Sequence, residues 1–142
     1  MNKEFTCYCG LSCELCAVKV KVFPAAKTLY QEMVKTGFDS IVKTVPDGNA
    51  FWGFLEVFKE NWACTSCRDG SGNPECKIRI CALEKSVEMC AFCNDYPCDK
   101  ISSFDAHYPN LKNDNDLLRC NGWDAWSKLL KERQKDEYTY TD

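Results

Sequence analysis

The chain has 142 residues, 12 cysteines and a formal net charge of -3. This length corresponds to one domain that can bury a modest core of its own. The acidic balance counts against a nucleic-acid-binding protein, and no segment has the length and apolar character of a transmembrane helix. The first residues also lack the apolar run of a signal peptide, so we expect a cytoplasmic protein with no membrane association.

The cysteine content calls for a specific explanation. Twelve cysteines in so short a chain indicate either a disulfide framework or metal coordination. Thiols stay reduced in the cytosol, so we expect these cysteines to hold metal or to do redox chemistry.

The first sixteen residues hold four cysteines, and a glycine lies between two of them. Gly10 follows Cys9 directly, where a tight turn would let the backbone wrap around an ion. Cys13 and Cys16 are three residues apart, a spacing that also places two side chains on one face of a helical turn. Both geometries present the two sulfurs together. The fourth cysteine of this segment is Cys7.

A helical segment is predicted next. Apolar residues recur at helical spacing from Pro24 to Lys35, and Gly37 is predicted to end this helix. A second amphipathic stretch follows the turn at 46–49 and carries an aromatic and aliphatic stripe, which we interpret as core. We therefore predict a helical lid over residues 24–62. The stripe consists of Phe51, Phe54, Leu55, Phe58 and Trp62.

A dense cysteine block occupies residues 64–100. It contains two C-x-x-C pairs, and each pair can place two thiolates on one tight turn around a single tetrahedral ion. The segment 68–74 lacks the ending of a phosphate-binding loop and is interpreted as a loop between ligand pairs. Short helices are predicted between Cys76 and Cys90 and again after Pro97. The basic residues among the thiolates can offset the negative charge of a metal site.

The remainder of the chain carries the last cysteine and the only histidine. His107 lies in a polar loop, where a histidine is usually solvated. Cys120 precedes the predicted turn Asn121-Gly122, and an amphipathic C-terminal helix is predicted over 122–135. We found no reason to divide the chain, so residues 1–142 are predicted to form one cysteine-rich metal-binding domain. Its expected fold class is mainly α, a small irregular helical domain with zinc-knuckle or ribbon-like cysteine loops.

Four cysteine motifs together resemble a known family. They are C-G-L-S-C-E-L-C at 9–16, C-T-S-C at 64–67, C-K-I-R-I-C-A at 76–82 and C-A-F-C-N-D-Y-P-C-D-K at 90–100. In this order they are similar to the cysteine-rich prokaryotic family catalogued as domain of unknown function 3795. The resemblance implies a small intracellular protein with metal-binding cysteines and no assigned activity. It also implies a cysteine at position 73, where this chain has Asn73, so one site would recruit Cys7 or Cys120 or lack a ligand.

The grouping of the cysteines can be predicted from closure entropy, which favours neighbours in sequence. The most compact set is Cys81, Cys90, Cys93 and Cys98. A second set would use Cys64, Cys67 and Cys76, completed by Cys9, Cys13 or Cys16. A rival partition joins Cys13 and Cys16 to Cys90 and Cys93. These ten cysteines are the predicted metal ligands, while Cys7, Cys120 and His107 are left open.

Zinc at two sites is the expected metal, because paired C-x-x-C motifs separated by a loop suit a closed four-thiolate tetrahedron. Iron-sulfur clusters also use four thiolates and are the alternative, although the ferredoxin run of cysteines is absent. No catalytic motif is found, so we expect a non-catalytic module that presents a surface to an unknown protein partner. The other hypothesis is an electron carrier or dithiol oxidoreductase.

Overall fold

The computed structural model describes residues 3–60 and 64–140, and it is mainly helical. These ranges contain no β-strand, only an isolated antiparallel bridge between Thr6 and Ser12. The predicted fold class, a mainly α protein, is therefore confirmed, whereas the knuckle-like loops stay a prediction. The described ranges hold six α-helices, which are α1 (Phe23–Lys35), α2 (Phe38–Val42), α3 (Gly48–Phe58), α4 (Lys77–Glu84), α5 (Asp99–Asp105) and α6 (Leu111–Lys135).

Shorter helical turns connect these elements. Three of them are 3-10 helices, at Lys3–Phe5, Cys13–Leu15 and Cys90–Phe92, and a π-helix spans Val18–Val22 just before α1. Within the ranges that the structure describes, no helix is both long enough and apolar enough to cross a bilayer.

The chain divides into two compact units. One, the helical unit, spans Ala17–Thr65, and the other, the cysteine unit, combines the described residues before Ala17 with those after Thr65. The helical unit contains α1 to α3 and Cys64, and the cysteine unit contains α4 to α6 and the other eleven cysteines. The role of segment 24–62 as a lid stays a prediction.

Helix α1 forms where the sequence predicts it. Pro24 lies in the first turn of α1, directly after the π-helix Val18–Val22, and α1 ends at Lys35, with Gly37 in the left-handed region at φ 74°. Ala26 and Met33 are buried on one face and form a core with Trp52 and Leu55 of α3. The ring of Tyr30 stacks on Trp52 at 5.0 Å between centroids. Apolar burial against α3 therefore stabilises α1.

The aromatic stripe of α3 is only partly buried. Phe51 and Phe54 are 43% and 50% exposed, so their interpretation as core residues is wrong. Leu55 is buried, as predicted, and Trp52, which was not in the predicted stripe, is buried with it. These positions, three residues apart, lie on the face that packs against α1. Trp62, which the sequence analysis also placed in the stripe, lies outside the described residues.

The core of the cysteine unit forms against α6. Leu118, Trp126 and Leu130 of this helix pack on Leu15, Met89 and Ala91, and all six side chains are almost completely buried. Each large apolar side chain buried in this way contributes about 1.5–3 kcal/mol relative to an exposed position. The core thus fixes the segments that flank the cysteines.

Helix α6 is longer than the sequence predicts. The predicted segment 122–135 is only its C-terminal part, and residues 111–121 are also helical. Gly122 interrupts the helix with φ 78° and ψ -177°, at the predicted turn. An ion pair joins the parts on either side, since the guanidinium of Arg133 donates two hydrogen bonds, of 2.5 and 2.8 Å, to the buried carboxylate of Asp114.

Candidate metal centre

Four cysteines of the block line one cavity in the cysteine unit. They are Cys81, Cys90, Cys93 and Cys98, which we call the cavity group, and the cavity has a volume of about 110 Å³. Its other walls are mostly apolar and include Ile78, Ala82, Val87 and Ile101. This is the set of four that closure entropy favours, so the structure places the predicted neighbours together.

Three elements position the cavity group. Cys81 lies on α4, Cys90 begins a 3-10 turn, and Cys93 ends it with its N–H donating to the carbonyl of Cys90 at 3.0 Å. Cys98 precedes α5, and its carbonyl accepts hydrogen bonds from the N–H groups of Ile101 and Ser102, at 3.0 and 2.9 Å. These elements bring four cysteines that are spread through the block in sequence to the wall of one cavity.

Hydrogen bonds from distant residues fix the C-x-x-C turn. The N–H of Cys90 donates to the carbonyl of Tyr8 at 2.8 Å. The guanidinium of Arg119, on α6, donates to the carbonyls of Ala91 and Cys93 at 2.9 and 3.1 Å. The turn is thus attached to both the N-terminal segment and the C-terminal helix.

The electrostatics of the cavity favour a neutral thiol at Cys90 in the absence of metal. Burial, reinforced by the neighbouring thiols of Cys9, Cys98, Cys93 and Cys81, raises the pKa of Cys90 to about 12. At the rim, Lys85 forms an ion pair with Asp95, and Lys100 also lines the cavity. A bound cation would instead favour the thiolate form of Cys90, because metal binds the thiolate and displaces the proton.

A second group of thiols forms around Cys7. Its side chain makes hydrogen bonds with those of Cys13, Cys67 and Cys9, and these contacts raise the pKa of Cys7. The hydrogen bond with Cys7, together with the N–H of Tyr8 and the charge of Arg79, lowers the pKa of Cys67 to about 6. We call these four residues the Cys7 group. It combines the N-terminal segment with the first C-x-x-C pair of the block.

A glycine turn builds the N-terminal half of the Cys7 group. The N–H of Gly10 donates to the carbonyl of Cys7 at 3.0 Å, and the N–H of Cys7 donates to the carbonyl of Leu11 at 2.7 Å. Gly10 has φ 105°, and the side chain of Asn115 on α6 occupies the place that a Cβ would take. The amide of Asn115 donates to the carbonyl of Cys9 at 2.8 Å. The predicted tight turn at Gly10 is thus confirmed.

Two arginines accompany the Cys7 group. Arg79 is buried, 7% exposed, and its guanidinium donates to the carbonyls of Ser71 and Asn73 at 2.7 and 2.8 Å. Arg68 donates to the carbonyl of Thr6 at 2.8 Å and lies over the ring of Tyr8, while its buried Nη2 has no hydrogen-bond partner among the residues that the structure describes. Buried cationic groups with neutral acceptors favour a negative charge nearby.

The remaining predicted residues are Cys76, Cys16 and Cys64. Cys76 packs, with cysteines of both groups, against the buried cluster of Cys9, Ile78 and Ile101, and Cys16 is half-buried after the 3-10 turn Cys13–Leu15. Cys64 belongs to the helical unit. Of the residues that were left open, Cys7 lies at the centre of a thiol group, whereas Cys120 and His107 are exposed. The role of all ten predicted cysteines as ligands stays a prediction.

All twelve cysteines lie in the described residues, and none forms a disulfide. Within residues 3–60 and 64–140, no three His, Cys, Asp or Glu side chains are arranged so that they could hold one metal ion between them. A single ion would therefore need the thiols of either group to rotate towards a common centre.

Comparison with known proteins identifies the family. The family model described as protein of unknown function (DUF3795) matches residues 5–103. The chain belongs to this family. The match includes both cysteine groups and every cysteine except Cys120, while α6 lies beyond it. No curated protein and no solved structure matches the chain.

Proposed function

We propose that this member of the DUF3795 family binds metal through cysteine thiolates at two places, and that the bound metal is part of its folded structure. The observation that carries the proposal is the convergence of Cys81, Cys90, Cys93 and Cys98 on one cavity. These residues come from three elements that are separate in sequence. Four thiolates are a ligand set that both zinc and iron-sulfur clusters use.

The Cys7 group is the second proposed site. Its four thiols are in contact through Cys7, and Arg79 and Arg68 supply positive charge beside them. A zinc ion with four thiolates is a net dianion, and it would offset the charge of these buried guanidinium groups. Zinc, the metal expected from the sequence, stays a prediction at this site.

The environment and the partner are also proposals. Twelve unbridged thiols suit a reducing compartment such as the cytoplasm. The helical unit exposes apolar side chains on all three of its helices, and exposed apolar surface often marks a protein-binding face. We therefore propose a module that binds a protein partner. These exposed residues include Leu29, Val34, Phe38, Ile41, Phe51, Phe54 and Val57.

The direct test is metal analysis of protein purified without oxygen. We expect metal that stays bound through gel filtration, and its amount should fall in Cys93→Ser and in Cys67→Ser, one variant for each group. Cys120→Ser is the matched control, because this thiol is exposed on α6 and belongs to neither group. Structural metal sites contribute about 10–16 kcal/mol of apparent binding energy, so removal by a chelator should lower helical content and the melting temperature.

The proposal fails if the wild-type protein is free of metal after reconstitution and has the same melting temperature with and without chelator. It also fails if metal is bound and Cys93→Ser and Cys67→Ser, shown by circular dichroism to be folded, retain as much as Cys120→Ser does.

A further inference from the structure

The size of the cavity in the cysteine unit indicates what kind of metal group it takes. A tetrahedral zinc ion lies about 2.3 Å from each sulfur, which holds the four sulfurs roughly 3.8 Å apart and in mutual contact. No room for water is left between sulfurs at that distance. The cavity that the four cysteines line has a volume of about 110 Å³, enough for several water molecules. The cavity, which eight further side chains also line, therefore has room for a group larger than a single ion.

The walls of the cavity are mainly apolar, as suits an iron-sulfur cluster. Besides the four thiols, they are formed mainly by apolar side chains, among them Ile78, Ala82 and Ile101. Ala82 and Ile101 are almost completely buried. Such walls limit the access of water, one of the factors that set the properties of an iron-sulfur centre.

Positive charge lies at the rim. Lys85 and Lys100 line the same cavity, although Lys85 is paired with Asp95. A cluster ligated by four thiolates is anionic, so a rim lysine would stabilise it. Arg119 stabilises the C-x-x-C turn Cys90–Cys93 by donating hydrogen bonds to the carbonyls of Ala91 and Cys93.

We propose that Cys81, Cys90, Cys93 and Cys98 ligate a four-iron, four-sulfide cluster in this cavity. The inference rests on the proposed function, because it names the group that one of the two metal sites takes. It assigns a cluster to the cavity group only, and the Cys7 group keeps its predicted single ion.

The test is anaerobic reconstitution of the full chain with ferric iron, sulfide and a thiol, followed by gel filtration. The thiol reduces half of the ferric iron and is itself oxidised to a disulfide, which gives the two ferric and two ferrous ions of the resting cluster. We expect about four iron and four acid-labile sulfide per chain, as the cluster stoichiometry requires, and a brown colour that dithionite bleaches. Cys93→Ser should lose this iron and sulfide. Cys120→Ser, whose thiol is exposed on α6 and belongs to neither group, should retain them.

A second variant tests the volume without removing a ligand. Val87 lines the cavity and is only half-buried, so Val87→Phe should fill space while it leaves the four thiols in place. We expect it to lower iron and sulfide incorporation several-fold, with helical circular dichroism unchanged. A smaller zinc ion would tolerate this change.

The outcomes separate the two proposals. One zinc ion held by Cys81, Cys90, Cys93 and Cys98, with no sulfide, would overturn the cluster and leave metal binding intact. Full cluster content in a folded Cys93→Ser variant would likewise overturn the assignment to this cavity. A wild-type chain that retains neither iron nor zinc would overturn the proposed function as well.

Discussion

The turn at Gly10 offers a sharp test of how the N-terminal cysteines are held. Gly10 has φ 105°, and a Cβ at this position would lie 2.7 Å from Cγ and 2.9 Å from Nδ2 of Asn115. Asn115 is completely buried, and its amide holds the carbonyl of Cys9. The substitution Gly10→Ala should therefore destabilise the cysteine unit.

The magnitude follows from two costs. An alanine in the left-handed region costs roughly 1–2 kcal/mol. Asn115 must also move to make room, which breaks its bond to Cys9 and leaves buried polar groups unpaired, at about 1–3 kcal/mol. The total of about 2–5 kcal/mol is a large part of the 5–15 kcal/mol that stabilises a typical domain. For a unit of this size, the melting temperature should fall by about 10 °C or more.

The measurement is chemical denaturation followed by circular dichroism, with Gly72→Ala as the matched control. Gly72 lies in the same unit with φ 75°, and nothing lies within 4 Å of its would-be Cβ, so this variant carries the backbone cost alone. The difference between the two variants, about 1–3 kcal/mol, then reports the displacement of Asn115. Metal content measured on the same samples reports the effect on the Cys7 group.

Two results would refute this reasoning. Equal destabilisation by Gly10→Ala and Gly72→Ala would mean that Asn115 does not constrain the turn. The same conclusion would follow if Asn115→Ala and Gly10→Ala were fully additive in the double variant, because residues in contact should be coupled.

Three further predictions concern charged side chains. Arg133→Met should destabilise the cysteine unit by about 3–5 kcal/mol in urea denaturation, because it leaves the buried carboxylate of Asp114 unpaired. Arg133→Lys should destabilise the unit less. Equal stability of both variants and the wild type would contradict this prediction. Arg79→Met should lose metal at a lower chelator concentration than the wild type, whereas Arg79→Lys, which keeps the positive charge, should retain more metal than Arg79→Met. Identical titrations of the two variants would show that the charge of Arg79 does not stabilise the bound metal. Lys112 and Tyr96 hold the pKa of Asp116 below its usual value, so its contribution to stability is present above the unfolded pKa of about 4 and is lost as the pH falls through the lower folded value. Asp116→Asn should therefore lower stability by less than about 1 kcal/mol at pH 7 and by less still at pH 3, and a larger loss at pH 3 would reverse the assigned sign.

Local patterns in the sequence predicted the regular elements well where one face is clearly apolar. Helix α1 begins and ends within a residue of the predicted bounds, because Pro24 and Gly37 mark its ends. The first half of α6 was missed, since residues 111–121 contain several Asn and Asp residues that favour turns in isolation. Its helix is stabilised by tertiary contacts of Leu111, Leu118 and Asn115.

The cysteine grouping was predictable only where it is local. Cys81, Cys90, Cys93 and Cys98 are near neighbours in sequence, so closure entropy identifies them. Cys7 was left open and not counted among the ten predicted ligands, because it falls outside the motifs shared with the family, and it reaches Cys67 across some sixty residues of chain. The missing cysteine at position 73, where this chain has Asn73, was the feature that drew attention to it.

The segment that the sequence analysis missed is the one that holds both cysteine groups. Asn115 and Arg119 are four residues apart on α6 and therefore lie on one face of the helix. From this face, Asn115 binds the carbonyl of Cys9, and Arg119 binds the carbonyls of Ala91 and Cys93. Because side chains of one rigid helix reach both cysteine loops, the two groups are held in a fixed relation before any metal is bound. The helix lies beyond the part of the chain that the family model matches, so the cysteine motifs alone do not account for how their thiols are positioned.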